Sequence, residues 1–152
     1  VFTEIMEHIT FNPINFWKVV YNHLNVKGII YLSTPSSLAL PNFIRSFSNL
    51  FRLRGVGIQL NEVFSSVTYG HHWKEYSPYE VKKYFYSLSD DFEVKIRRYN
   101  YRDEKSKGFR DFVWYSLMKI GTWLYYFSPD IEAVVTKNGN DSGFKLKSPD
   151  YS

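Results

Sequence analysis

The sequence predicts an α/β fold in which a mostly parallel sheet carries helices on its faces. Two observations support this prediction. Short runs of β-branched and apolar residues alternate along the chain with stripes of helical spacing, and strands joined by helical crossovers pair in parallel. The 152 residues amount to one domain, which is long enough to bury a sizeable core.

The composition excludes several classes of protein. The chain has no cysteine, which rules out a disulfide scaffold and a thiolate metal site. With 44% hydrophobic residues it is not compositionally disordered, and no apolar run is long enough to span a membrane, so we expect a cytoplasmic protein without a transmembrane segment. A net charge of +4 permits a nucleic-acid partner without requiring one. Aromatic residues make up 20% of the chain; burial in the core explains many of these rings, and so many also predict that some lie in a pocket or at an interface.

The first half of the chain predicts a strand, a helix and a second strand. Residues 1–5 are apolar and β-prone. Asn12-Pro13 is a helix-start signal. A helical stripe follows at intervals of three and four, formed by Ile14, Trp17, Tyr21 and Leu24. Residues 29–34 form a continuous apolar run that ends at Pro35 and is typical of a buried strand.

The second half predicts a less regular segment, then a helix, a strand, a helix and a strand. Residues 36–70 include a helix around 43–54 with three arginines, Arg45, Arg52 and Arg54, which either bind an anionic substrate or form a solvated face. A capping box from Ser77 to Glu80 starts the next helix. The remaining predicted elements are a strand at 92–101, a helix at 107–127, a strand at 131–136 and a flexible tail at 138–152.

The helix at 107–127 is aromatic on two faces. Packing against the sheet explains one of them. The second face predicts a surface for a partner or a membrane interface, or else burial under another part of the domain.

A dense polar cluster follows the first predicted strand. Glu4, Glu7 and His8 lie within five residues, where the strand predicted at residues 1–5 ends. Ligands of open α/β sheets bind beyond the carboxyl ends of the strands. Two carboxylates and an imidazole there suit a divalent metal or acid–base chemistry. The alternative is a polar turn in which a backbone group satisfies His8.

Three motifs in order resemble the C-terminal half of a class I S-adenosylmethionine-dependent methyltransferase. They are Glu4-Ile5-Met6-Glu7-His8-Ile9 with Asn12-Pro13, then Gly28-Ile29-Ile30-Tyr31-Leu32-Ser33-Thr34-Pro35, and later His72-Trp73-Lys74-Glu75-Tyr76-Ser77-Pro78-Tyr79-Glu80. The resemblance implies a Rossmann-like sheet over residues 1–137, with a substrate-contacting insertion at 36–70. It also implies that the last strand is antiparallel and lies between its neighbours, which makes the strand at 92–101 an edge.

The family's Gly-rich cofactor loop and the acidic residue that holds the ribose have no counterpart here, and of its Lys-Pro-Gly-Gly turn only Gly28 remains. The resemblance therefore implies a fragment whose partner is the missing N-terminal half of the same domain. It implies S-adenosylmethionine as cofactor, with Thr3 and Glu4 as cofactor-binding residues. We expect these 152 residues alone to bind that cofactor weakly or not at all.

One subgroup of the family binds a divalent metal through Glu-x-x-Glu-His and a downstream His. Here the resemblance implies Glu4, Glu7, His8 and His72 as ligands for Mg²⁺ or Mn²⁺; in relatives without metal the same residues line the pocket. It also implies His8, His72 and Glu7 as catalytic residues, with His8 the first candidate for a base.

The function that the resemblance implies is transfer of a methyl group to an oxygen or nitrogen acceptor. A small-molecule acceptor is the leading expectation. The alternatives are a metal-dependent enzyme similar to RNA 2′-O-methyltransferases, with a nucleic-acid acceptor, and a non-catalytic α/β module that binds a partner through its aromatic surface.

Overall fold

The computed structural model describes residues 1–53, 72–100, 108–139 and 143–147. The elements in chain order are β1 (Phe2–Thr3), α1 (Ile14–His23), β2 (Ile29–Pro35), α2 (Leu40–Phe51), α3 (Pro78–Leu88), β3 (Phe92–Tyr99), α4 (Phe109–Trp123) and β4 (Asp130–Lys137). A short 3-10 turn, Met6–His8, follows β1.

The four strands form one mixed sheet in the order β1-β2-β4-β3. β1 is parallel to β2, with Phe2 opposite Leu32. β4 lies between β2 and β3 and is antiparallel to both. β1, β2 and β3 therefore run in one direction, and their carboxyl ends share one rim. The α/β class is confirmed, but the expectation of a mostly parallel sheet is not: among the described strands only the β1–β2 pairing is parallel, because β4 starts at the rim where β3 ends and must run back.

The order of the strands agrees with the expectation that the last strand lies antiparallel between its neighbours. The predicted helices and strands all occur, with bounds shifted by a few residues. At α3 the capping box forms as predicted: the Ser77 side chain accepts from the Glu80 N–H, and the Glu80 carboxylate accepts from the Ser77 N–H. Asn12 accepts a hydrogen bond from the Ile14 N–H at the start of α1.

The core lies between one face of the sheet and the helices α1 and α3. The Trp17 indole N–H donates to the Tyr84 hydroxyl at 2.7 Å, and the rings of Trp17 and Phe85 meet edge to face. Alternate residues of the central strands face these helices. The buried apolar residues are Met6, Trp17, Tyr21, Ile30, Leu32, Tyr76, Val81, Phe85, Leu88, Phe92, Val94, Ile131, Ala133 and Val135.

Helices α2 and α4 pack on each other. Phe43 of α2 and Phe127 after α4 have ring centroids 5.4 Å apart. Gly121 permits the close approach, because a Cβ there would lie 2.3 Å from the Phe127 carbonyl oxygen and 3.0 Å from the Leu40 Cβ. Both helices leave from the rim: α2 follows the end of β2, and α4 joins β3 to β4.

Parts of several predicted segments lie outside the described residues: Arg54 and the rest of the insertion to residue 70, the ends of the predicted elements at Tyr101 and Lys107, and residues 140–142 and 148–152 of the tail. The described part of the tail is held against the core, since the Lys145 and Lys147 N–H groups donate to the carbonyls of Leu88 and Ser87. Among the described residues, no helix combines the length and apolar character needed to cross a membrane.

Candidate functional site

The chain turns sharply after β1 and aims Glu7 into the protein. Glu4 adopts a positive φ of 53°, in the left-handed region that few residues other than glycine enter. Its N–H donates to the Ser33 carbonyl at 3.0 Å, which continues the parallel pairing by one step. The 3-10 turn Met6–His8 comes next, with Met6 and Glu7 buried.

Glu7 is a carboxylate with 0% exposure. Its Oε2 accepts a hydrogen bond from the Thr34 hydroxyl at 2.9 Å. Its Oε1 is also buried but has no hydrogen-bond partner among the described residues. Burial raises the pKa of the Glu7 carboxyl above its ordinary value, with the bond from Thr34 acting in the opposite direction. The buried carboxylate is therefore half satisfied, a condition that is costly without a further partner.

The two histidines meet beside Glu7. The rings of His8 and His72 lie edge to face with centroids 5.1 Å apart. Their side chains are about one third exposed, at 35% and 37%. The Glu7 carbonyl accepts from the Trp73 N–H at 2.7 Å, and this bond fixes the chain that carries His72 to the turn after β1.

The Glu75 carboxylate orients the His72 ring. The His72 Nδ1 lies 3.3 Å from Glu75 Oε1. With the Nδ1 proton donated to Glu75, the lone pair of the imidazole is on Nε2. This carboxylate–histidine arrangement is the one that orients histidine ligands in metal sites.

The structure brings together three of the four predicted metal ligands. One potential ligand atom from each of Glu7, His8 and His72 lies within 4.8 Å of the other two. Glu4 is not part of this cluster, and its carboxylate accepts from the Ser33 hydroxyl at 3.1 Å. Thr3, predicted to bind the cofactor, is exposed and lies opposite Ser33 in the sheet.

The donor set of the cluster, one carboxylate and two imidazoles, suits a divalent transition ion such as Mn²⁺ better than Mg²⁺, which prefers oxygen ligands. The Glu7 Oε1 has no hydrogen-bond partner among the described residues and lies 4.0 Å from His8 Nε2, and such an ion would satisfy it. Without an ion, the same imidazoles are candidates for acid–base chemistry.

The residues that orient the cluster were not identified from the sequence. Thr34 and Glu75 hold Glu7 and His72, and the Trp73 N–H holds the turn. Thr34 precedes the Pro35 that ends a predicted strand, and Glu75 follows His72 by three residues. These positions can be read from the sequence, but the sequence does not indicate that Thr34 bonds to Glu7 or that Glu75 bonds to His72.

A groove of about 310 Å³ lies between the start of α1 and α3. Its lining is mostly apolar and aromatic, and it includes Tyr76, Tyr79 and Tyr84. Burial raises the pKa of Tyr84 to about 12, so this phenol stays neutral. Lys74 and Glu80, which also line the groove, form an ion pair at 2.7 Å.

No protein-family model, no curated protein and no solved structure matches the chain.

Proposed function

We propose that the chain is the C-terminal half of an S-adenosylmethionine-dependent methyltransferase domain and that Glu7, His8 and His72 hold a divalent ion beside the methyl acceptor. The observation that carries the proposal is the convergence of these three side chains around a buried carboxylate oxygen without a hydrogen-bond partner. The mixed sheet supports it, because its strand order is the one that the resemblance implies.

The position of the cluster also supports the proposal. Glu7 and His8 follow β1, and Thr34 lies near the end of β2, so the cluster occupies the rim at the carboxyl ends of two adjacent parallel strands. Ligands of open α/β sheets bind at this rim.

Each residue has a distinct task in this proposal. When bound, S-adenosylmethionine supplies an activated methyl group, and a divalent ion lowers the pKa of an acceptor hydroxyl. Glu7 offers its Oε1, which accepts no hydrogen bond from the described residues, while Thr34 holds Oε2, and His8 and His72 offer ring nitrogens. Glu75 keeps the His72 ring in orientation. If the acceptor is bound without metal, His8 is positioned to take its proton.

Binding of Mn²⁺ tests the metal part of the proposal without any methyl acceptor. We expect electron paramagnetic resonance titration to show one Mn²⁺ site and expect His8→Ala, His72→Ala and Glu7→Gln each to weaken binding by about tenfold or more. His23→Ala is the matched control, because His23 lies at the exposed end of α1 with its Nδ1 at 2.8 Å from the Val19 carbonyl. Equal affinity in the His8, His72 and His23 variants would refute the metal site.

Methyl transfer is tested with the complete protein that contains this chain. The assay measures the transfer of tritiated methyl groups from S-adenosylmethionine. The acceptors are a panel of small hydroxylated aromatic compounds and a short RNA with a free 3′-terminal ribose. We expect incorporation into one of these acceptors, with activity lost in His8→Ala and retained in His23→Ala. Activity that is independent of His8 and His72 would overturn their catalytic assignment, and absence of transfer to every acceptor would count against the methyltransferase itself.

A further inference from the structure

Helix α2 presents its apolar stripe to solvent. Its exposed apolar residues recur at helical intervals and comprise Phe43, Ile44, Phe47, Leu50 and Phe51. Polar positions of the same helix, such as Asn42 and Ser46, are less exposed than these rings. An amphipathic helix of a globular domain normally buries the apolar stripe, so α2 has the reverse orientation.

Helix α4 repeats this pattern. Its exposed apolar residues are Phe109, Phe112, Val113, Ile120 and Trp123, and Leu124, Tyr125 and Tyr126 continue the exposed surface. Trp123 is 83% exposed. Because α2 and α4 contact each other, their stripes belong to one helical pair. We call the exposed apolar residues of α2 and α4, with Leu53 and Leu124–Tyr126, the aromatic face.

The charged side chains on these two helices are mostly basic. Exposed cations are Arg45 within α2, Arg52 directly after it, and Arg110 and Lys119 on α4. Asp111 is the sole acidic residue within α2 and α4. A second copy of the chain would bring like charges together, whereas an anionic lipid surface complements them.

We propose that the aromatic face docks on an anionic membrane surface, with α2 and α4 lying in the plane of the interface. Phe, Trp and Tyr side chains partition into the boundary between headgroups and acyl chains, and flanking Arg and Lys bind anionic headgroups. This mode needs no spanning segment. Since both helices leave from the rim of the sheet that carries Glu7 and His8, docking would bring that rim near the headgroups. The inference does not depend on the proposed function.

Vesicle co-sedimentation tests the proposal directly. Vesicles of phosphatidylcholine alone are compared with vesicles that contain about one third phosphatidylserine. We expect the protein to bind the second kind, and the paired substitution Phe47→Ser with Phe51→Ser to weaken binding by about tenfold or more. Arg45→Gln with Arg52→Gln should weaken it at least about fivefold, in proportion to the anionic lipid.

The matched control is Phe11→Ser, because Phe11 is 58% exposed and Phe47 is 56% exposed, and Phe11 lies outside the aromatic face. Phe11→Ser should leave vesicle binding unchanged. Lipids brominated in the acyl chains should quench tryptophan fluorescence, and the quenched fraction should fall in Trp123→Phe but not in Trp73→Phe.

Two outcomes would overturn the proposal. The first is no binding to the phosphatidylserine vesicles; a dimer in sedimentation velocity that the Phe47→Ser, Phe51→Ser pair abolishes would then assign the face to a second copy of the chain. The second is vesicle binding that survives this pair in a protein whose circular dichroism is unchanged.

Discussion

Two pairs of helices in this protein use similar aromatic residues in opposite ways. Helices α1 and α3 bury Trp17 and Phe85 against the sheet, whereas α2 and α4 expose Phe47 and Trp123. All four helices show apolar residues at intervals of three and four. The difference is the surface available to each pair: α1 and α3 have a sheet to cover, while α2 and α4 pack mainly on each other. Helical periodicity thus identifies an apolar stripe but not what covers it.

The largest expected effect on stability is at Phe85 of α3, and it is compared with the effect at Phe47 of α2. Phe85→Ala should lower the free energy of unfolding by about 3–5 kcal/mol, because Phe85 is 0% exposed and its loss leaves a cavity. Phe47→Ala should change it by less than about 0.5 kcal/mol. Urea unfolding followed by far-ultraviolet circular dichroism measures both. Equal losses would show that the aromatic face is packed in the free protein.

The next largest effect is the pH dependence of stability at Glu7. Because the folded state raises the pKa of Glu7 above 4.5, folding favours the protonated carboxyl. The stability that Glu7 contributes is therefore complete at a pH below its pKa in the unfolded chain. It is lost as the pH rises through the higher pKa that Glu7 has in the folded protein. In metal-free protein at pH 8, Glu7→Gln should be more stable than the native chain by about 1 kcal/mol or more.

This gain should shrink towards pH 4, and urea unfolding in a chelator at both pH values measures it. Glu4→Gln is the control, since Glu4 is partly exposed and bonded to Ser33. A native chain as stable as Glu7→Gln at pH 8 would mean that the buried Oε1 is satisfied. Added Mn²⁺ should reverse the order by stabilising the native chain only.

A smaller effect is expected at the start of α3, on the core side. Ser77→Ala removes the bond to the Glu80 N–H and should lower stability by about 1 kcal/mol. Ser116→Ala, on α4, removes only an exposed bond to the Phe112 carbonyl and should change it by less than about 0.5 kcal/mol. Thermal unfolding of both variants distinguishes a cap from an ordinary hydroxyl, and equal melting temperatures would refute the capping role.

The smallest effect is expected at the start of α4, where no side chain caps the helix. Gly108 occupies the capping position, its φ of −171° suits any residue, and a Cβ there would meet nothing within 4 Å. Gly108→Ser should therefore raise stability by a few tenths of a kcal/mol. Gly121→Ser should lower it, because its Cβ would clash with the Phe127 carbonyl. A loss in Gly108→Ser, seen in the same thermal scans, would contradict this account of the helix start.

Local signals in the sequence determined the elements of the fold. The Ser77 capping box, the Asn12-Pro13 start and the strand that ends near Pro35 each depend on a few neighbouring residues, and each occurs in the structure. The proximity of Glu7 and His8 was also local. The antiparallel placement of β4 was expected only through the resemblance, because strand direction in a sheet is not encoded in a short window.

Only the tertiary structure decided which polar residues converge and which rings remain exposed. Glu7 is buried beside Thr34, which is 27 residues away and donates to its carboxylate, and the Trp73 N–H holds the segment that carries His72 against Glu7. Glu4 differs from Glu7 because its positive φ turns the chain and its carboxylate bonds to Ser33 instead. Sequence spacing treats these two carboxylates alike, since burial depends on contacts between residues far apart in the chain. The same reason separates the buried rings of α1 and α3 from the aromatic face.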